Sequence, residues 1–227
     1  MKKQRMKQTL KEGKRANKLL IAAVVAVVVV LLLGLLLGNQ LATSRLEEFK
    51  DVEEMLLIQL ISLEFREDLI EDVCALEWKD IWEQKAELGS MLTALERRLG
   101  RDSPKLTTKR EIYELIEIKT IELLERIRTE CHEDFSIILL FFTNKKNDPL
   151  GSAAGSADQG LILDQVYFKH NEQNYGRKVY IFVFDINSKN SASVALRNKY
   201  EIKEAPSLVI DGETYGYLVE DEIEELI

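Results

Sequence analysis

Three kinds of hydrophobic pattern follow one another along this chain. The first is a solid block: Leu19 to Gly38 reads LLIAAVVAVVVVLLLGLLLG, without a charged or polar side chain. The second is spaced. From Leu41 to about Leu99 apolar residues return every three or four positions, among them Leu46, Phe49, Leu56, Leu60, Leu63, Ile70, Val73, Ile81, Leu88, Leu92, Leu95 and Leu99. That spacing predicts helix almost throughout, with Gly89-Ser90 as a candidate interruption and LGRDSPKLTT as the end. A second helix is predicted from about Thr108 to Glu130, with Thr108 as N-cap and Glu111 three residues on. Two helices and a short turn make an antiparallel hairpin over 39–134. Its stripes read as mutual packing in a stalk; a self-associating coiled coil or partner site is the alternative.

The third pattern begins at Phe135. FSIILLFF is a short continuous apolar run, the mark of a strand buried on both faces. Thr143 to Ala157 has the composition of a loop, and Asp158 to Lys169 can be a helix. KVYIFVFD is a second buried strand, and Ser191 to Tyr200 a short helix. SLVID and ETYGYLV predict a hairpin across Asp211-Gly212. EDEIEELI closes the chain as a helix with acidic residues in its first turn, where the helix dipole favours them. Strands alternating with helices imply a parallel portion of sheet, and the terminal hairpin adds an antiparallel one. The expected class is α/β over 135–227.

Charge changes the reading of the first block. Met1 to Lys18 carries eight basic residues and one Glu; the whole chain is −8, so the remainder is −15. An acidic body argues against nucleic acid, whose binding needs a basic face. A helix rises about 1.5 Å per residue, so residues 19–38 span about 30 Å, the thickness of a bilayer core. The basic 1–18 tail then stays cytoplasmic and the acidic body lies outside. A cleaved signal peptide is the competing reading, but its apolar core is usually shorter. The expected layout is a single-pass cell-membrane protein with lipid contact through 19–38 and an extracytoplasmic carboxyl-terminal domain.

The order of elements over Phe135 to Ile227, together with YEIKEAPSLVIDGETYG, resembles the thioredoxin-like fold. Tyr200, Ile202, Pro206 and Ser207 match the family's Y-x-I-x-x-x-P-[ST] stretch; FVFDIN ending through Asp185, with Gly212 and Gly216, matches further positions. The anchor and helical hairpin are similar to those of archaeal membrane-anchored thioredoxin-like proteins. The resemblance implies a cis bond before Pro206. It also implies a backbone edge there that pairs with an extended peptide, with Ala205, Pro206 and Ser207 facing loop residues such as Asn144 and Asp148.

The family's Cys-x-x-Cys, just after the first core strand, has no counterpart. The only cysteines are Cys74 and Cys131, and Leu140 aligns with the family's buried acid. Disulfide exchange needs an activated thiolate and a second thiol to resolve it. No cofactor or metal is expected: His132 and His170 lie in different elements and form no ligand spacing with the cysteines. Hairpin arithmetic instead pairs the two cysteines. Reflecting Cys131 through a turn centred in Gly100–Thr107 brings it opposite position 76, about 3 Å of rise from Cys74. The leading expectation is a redox-inactive module that binds a protein or extended peptide. Its rivals are a thiol-disulfide oxidoreductase using Cys74 and Cys131, and a purely structural stalk in which the proline groove is closed.

Overall fold

The computed structural model describes residues 31, 34, 50, 52–64, 72–76, 78–100, 103–173 and 176–227. Leu31, Gly34 and Lys50 are helical positions; the expected anchor, 19–38, otherwise lies outside the described residues. Among those residues no helix is long and apolar enough to cross a membrane.

Val52–Ile227 form one compact unit. Its first helix, α1 (52–64), buries Val52, Leu56 and Leu63 and leaves Met55, Leu57, Ile58 and Ile61 exposed. A 3-10 turn over Val73–Ala75 precedes α2 (Trp78–Leu99), and another over Pro104–Leu106 leads into α3 (Thr107–Glu130). The helix expected almost throughout 41–99 is thus interrupted at 72–76, and its candidate break, Gly89-Ser90, is continuous helix. Gly89 lies inside α2 because the Tyr113 ring of α3 comes up against it, where a side chain would collide. Thr108 is not the N-cap of α3. The 3-10 turn runs straight into the helix, and the cap position, Leu106, has no side-chain hydrogen bond.

The sheet has strands β1 (Phe135–Phe142), β2 (Lys178–Asp185), β3 (Ser207–Ile210) and β4 (Glu213–Tyr215) in the order β2-β1-β3-β4. β1 pairs with β2 in parallel, from Phe135 opposite Lys178 to Phe142 opposite Asp185. β3 runs antiparallel to both β1 and β4. The β3–β4 turn is Asp211-Gly212, with φ 48° and 97°, the two positive values a two-residue hairpin turn needs. β4 stops at Tyr215, shorter than the expected ETYGYLV. Helices α4 (Ala153–Tyr167), α5 (Ser191–Lys199) and α6 (Glu220–Glu224) complete the unit, which is mixed α/β.

The alternation of the strands sorts two cores. Ile138, Leu140, Val179, Leu208 and Ile210 pack with Leu163 and Val166 of α4 and Ile223 of α6. The opposite parity carries the aromatic side: Phe135 meets Tyr180 edge-on, Phe141 stacks on Phe184, and Trp82 of α2 lies against Tyr180 and Phe182. No gap in packing accompanies the change of pattern at 134/135. Glu114 of α3 accepts hydrogen bonds from Ser188 and Ser193 hydroxyls at 2.6 and 2.7 Å, beside the start of α5. Asn190, the N-cap of α5, donates to the Glu111 carbonyl at 2.9 Å. The Asp211 carboxylate accepts from the Ile137 N–H at 2.9 Å and from Arg128.

Candidate functional site

β1 ends at Phe142, and the chain must turn back before α4. The first anchor of that turn is Thr143, buried, whose N–H donates to the Ser156 hydroxyl at 3.1 Å. The second is Asp148. Its carboxylate accepts the Thr143 hydroxyl, the Asn187 amide at 2.6 Å and the Leu150 N–H at 3.0 Å. These donors, Thr143 first and then Asn187, favour the charged form and draw the Asp148 carboxyl down to about 2. Sequence composition made residues 143–157 a loop, but the helix begins at Ala153. Ser152 has extended backbone and its hydroxyl accepts the Gly155 N–H at 3.0 Å, an N-cap that converts GSAAGS from loop to first turn. At its far end α4 passes into a π-helical turn, Phe168–Glu172.

The turn then meets the proline. The Ala205–Pro206 bond is cis, as the resemblance implied. Ala205 is buried, and both of its backbone groups are used: its N–H donates to the Leu150 carbonyl at 2.7 Å, and its carbonyl accepts the Ser152 N–H at 2.8 Å. Gly151 sits between those two bonds, in a one-residue parallel bridge to Ala205. A Cβ on Gly151 would enter the Ala205 backbone. A Cβ on Gly155 would lie 3.3 Å from Pro206 Cδ and 3.4 Å from Ser152 Cβ.

The structure therefore brings Ala205, Pro206 and Asp148 together through the 150–152 segment. Ser207 begins β3, and its hydroxyl donates to the Glu204 carbonyl at 2.6 Å. Asn144 is exposed. Gly151, Ser152 and Gly155 lie in the 143–157 loop expected to face the proline, but neither they nor Asn187 stand out singly in the sequence. The one readable signal was Ser152 followed by two alanines, a cap before good helix formers.

Cys74 and Cys131 are bonded to each other, with Cα atoms 5.5 Å apart. Cys74 lies in the 3-10 turn before α2, not within a helix, and Asp72 caps its N–H at 3.0 Å. Cys131 follows α3 and precedes β1, whereas Ser152 follows the other end of β1. From Phe135 to Phe142 the strand makes seven steps of about 3.3 Å, which puts about 23 Å between those ends. His132 sits beside Cys131 at that remote end, and buried His170 faces the Arg177 carbonyl at 2.8 Å and Glu224 at 3.2 Å. Among the described residues no group of three or more metal-ligating side chains is placed to hold an ion. Comparison with protein families, with curated proteins and with solved structures finds no match.

Proposed function

We propose that the chain is a membrane-tethered, redox-inactive thioredoxin-like protein whose folded part is an extracytoplasmic binding module. The observation that carries this reading is the tetrad Ser152-Ala153-Ala154-Gly155. It starts the helix after the first strand and lies against a cis proline, the place where the resembling family keeps its two thiols. A hydroxyl and a hydrogen stand there instead. The framework is kept and the reactive groups are gone. The strand order and the Asp211-Gly212 hairpin agree with the same fold. The Cys74–Cys131 bond fits an oxidising compartment, consistent with a tether at 19–38 and a cytoplasmic basic tail.

The oxidoreductase reading is weaker on geometry. Its cysteines are joined to each other, and about 23 Å of strand separates their end of the sheet from the proline. Insulin reduction by the full-length chain in detergent tests the choice. Equal, background-level rates are expected for the wild type and for the Cys74→Ser/Cys131→Ser variant. Turnover that disappears in the variant would replace the binding reading with the enzymatic one.

One observation favours the structural-stalk reading: the backbone of Ala205 is already paired within the chain. A photo-crosslinking residue at Glu204, exposed and adjacent, separates the two in native membranes. A binding module gives a discrete adduct that is lost on competition, and a stalk gives none.

A further inference from the structure

Helix α6 is five residues long and covers one core of the sheet with Ile223, which packs with Ile138, Leu140, Leu163 and Val166. Its two ends are held differently. Ahead of it, the Gln159 side chain of α4 takes both backbone groups of Leu218, accepting the N–H at 2.9 Å and donating to the carbonyl at 3.0 Å. The far end is fastened by a titratable group. Glu224 presents both carboxylate oxygens to His170 Nε2 at 3.2 Å, and His170 Nδ1 faces the Arg177 carbonyl at 2.8 Å. Both ring nitrogens thus point at acceptors, and a histidine donates from both only as the imidazolium. The ring is 4 % exposed, so little water reaches it to replace a lost contact. The turn that carries it is fixed to the sheet. The Asn171 amide donates to the Val179 carbonyl at 2.6 Å, its oxygen accepts the Val179 N–H at 3.2 Å, and Lys178 Nζ donates to the Asn171 carbonyl at 3.0 Å.

We propose that His170 is a proton-operated clip on the carboxyl-terminal helix, closed while the ring carries both protons. When the ring gives one up, Nδ1 keeps its hydrogen for the nearer Arg177 carbonyl, and Nε2 becomes a lone pair facing a carboxylate. That contact turns repulsive. The π-helical turn is pinned and Leu218 is held by Gln159, so the end of α6 swings out about Leu218 and withdraws Ile223 from the sheet. The charges around the pair keep Glu224 from taking over the proton. Lys169 Nζ lies 3.0 Å from Glu224 and 3.8 Å from Glu220, which favours the ionised carboxylate. Arg177 turns its guanidinium away, to Asp134 at 2.6 Å and Asp211 at 3.6 Å. Asp164 of α4, Glu172 of the turn, and Asp221, Glu222 and Glu225 of the α6 end are exposed. The clip's contribution is therefore present at pH below the imidazole range and is lost as pH rises through it. This control is independent of what the module binds.

The test is millisecond-pulse hydrogen exchange of the full-length chain in detergent, at about pH 5.5 and about pH 8, corrected for intrinsic rate. The reporters are the Ile223, Glu225 and Leu226 amides, hydrogen-bonded in and just after α6. In the wild type their protection falls about tenfold or more from the lower pH to the higher, as loss of one charge-assisted hydrogen bond gives, while β1 amides keep theirs. His170→Gln shows no such step. The chain's other histidine, His132, is exposed, and His132→Asn keeps the step. Glu224→Gln separates a clip from a merely structural contact. The neutral ring accepts from the Gln amide and the imidazolium donates to its oxygen, so protection stays at its low-pH level at both values. A wild type without a step overturns the proposal, as does a step that persists in His170→Gln or Glu224→Gln or one that vanishes in His132→Asn. Should His170→Gln lose β1 protection, Glu224→Gln decides alone, by the same criterion.

Discussion

Gly151 passes so close to Ala205 that a side chain on it would run into the Ala205 backbone. Gly151→Ala is therefore expected to destabilise the fold or force residues 150–152 away from Ala205, at a cost of about 1–3 kcal/mol, the usual range for an atom inserted where there is no room. Gly160, whose Cβ would meet nothing within 4 Å, serves as the control: Gly160→Ala should be neutral or slightly stabilising within its helix. Urea denaturation of the two variants side by side reads the difference.

Ser152 and Gly155 stand close to disulfide distance. The Cβ–Cβ separation of 3.4 Å given by an added Gly155 Cβ lies just below the range of about 3.5–4.5 Å that disulfides use. The double variant Ser152→Cys/Gly155→Cys is expected to form a second disulfide, found by non-reducing peptide mapping. Its first thiol sits at a helix N-cap, where the thiolate is favoured. Insulin reduction by the double variant should rise above wild type. A double variant that stays fully reduced in air would count against the thioredoxin-like reading of this helix start.

Reducing the Cys74–Cys131 bond should lower stability without unfolding the sheet. The bond closes a separation of 57 residues, for which the chain-entropy model gives up to about 4 kcal/mol. The expected result is a lower thermal midpoint on reduction and no reductant effect on Cys74→Ser/Cys131→Ser. Complete alkylation of both thiols in denatured, unreduced protein would remove the bond.

Acid should loosen residues 148–152 before the sheet. The folded-state Asp148 carboxyl is drawn from the ordinary 3.8 to about 2. Its contribution is complete above the unfolded value and declines as pH falls through that window. Exchange at the Ala205 amide, corrected for intrinsic rate, should accelerate below about pH 4, with no such step in Asp148→Ala. A flat wild-type profile down to pH 2 would mean that the Asp148 carboxylate does not hold this segment.

The sequence showed what is local or regular. β1 and β2 were visible because strands buried on both faces are continuous apolar runs, and Asp211-Gly212 was visible because its turn chemistry is confined to two residues. The cysteine pairing followed from reflection through a hairpin turn, even though Cys74 proved to lie in a 3-10 turn. What stayed hidden depends on partners distant in the chain. Gly89 looked like a helix break, but it makes room for Tyr113. Ser152 looked like part of a flexible run, but one hydrogen bond to Gly155 starts a helix. The pairing of Leu150 and Ser152 with Ala205 was invisible because Ala205 is more than fifty residues away.

Lys85 and Glu117 give the most demanding case, because sequence alone would place both on solvated helix faces. Instead they are buried together between α2 and α3, with Lys85 Nζ 3.1 Å from Glu117 Oε1. The ammonium also lies 4.7 Å from the Trp82 ring centre and 4.5 Å from that of Phe182. Burial pushes the Glu117 carboxyl up, and the Lys85 ammonium beside it pulls it down. Lys85→Met leaves the carboxylate buried without its counter-charge and should cost about 3–5 kcal/mol at neutral pH. With Lys85 gone, burial dominates the carboxyl and its folded pKa is raised further above the unfolded value. A raised acid is destabilising once pH exceeds that folded pKa, and the cost is relieved as pH falls towards the unfolded pKa. The Lys85→Met deficit relative to wild type should therefore shrink on acidification. Glu117→Gln added to Lys85→Met removes the buried charge, so the double variant should recover most of the loss at neutral pH. Urea midpoints of the wild type, the singles and the double at two pH values decide it. Additive losses with no pH dependence would mean the two side chains do not act as a pair.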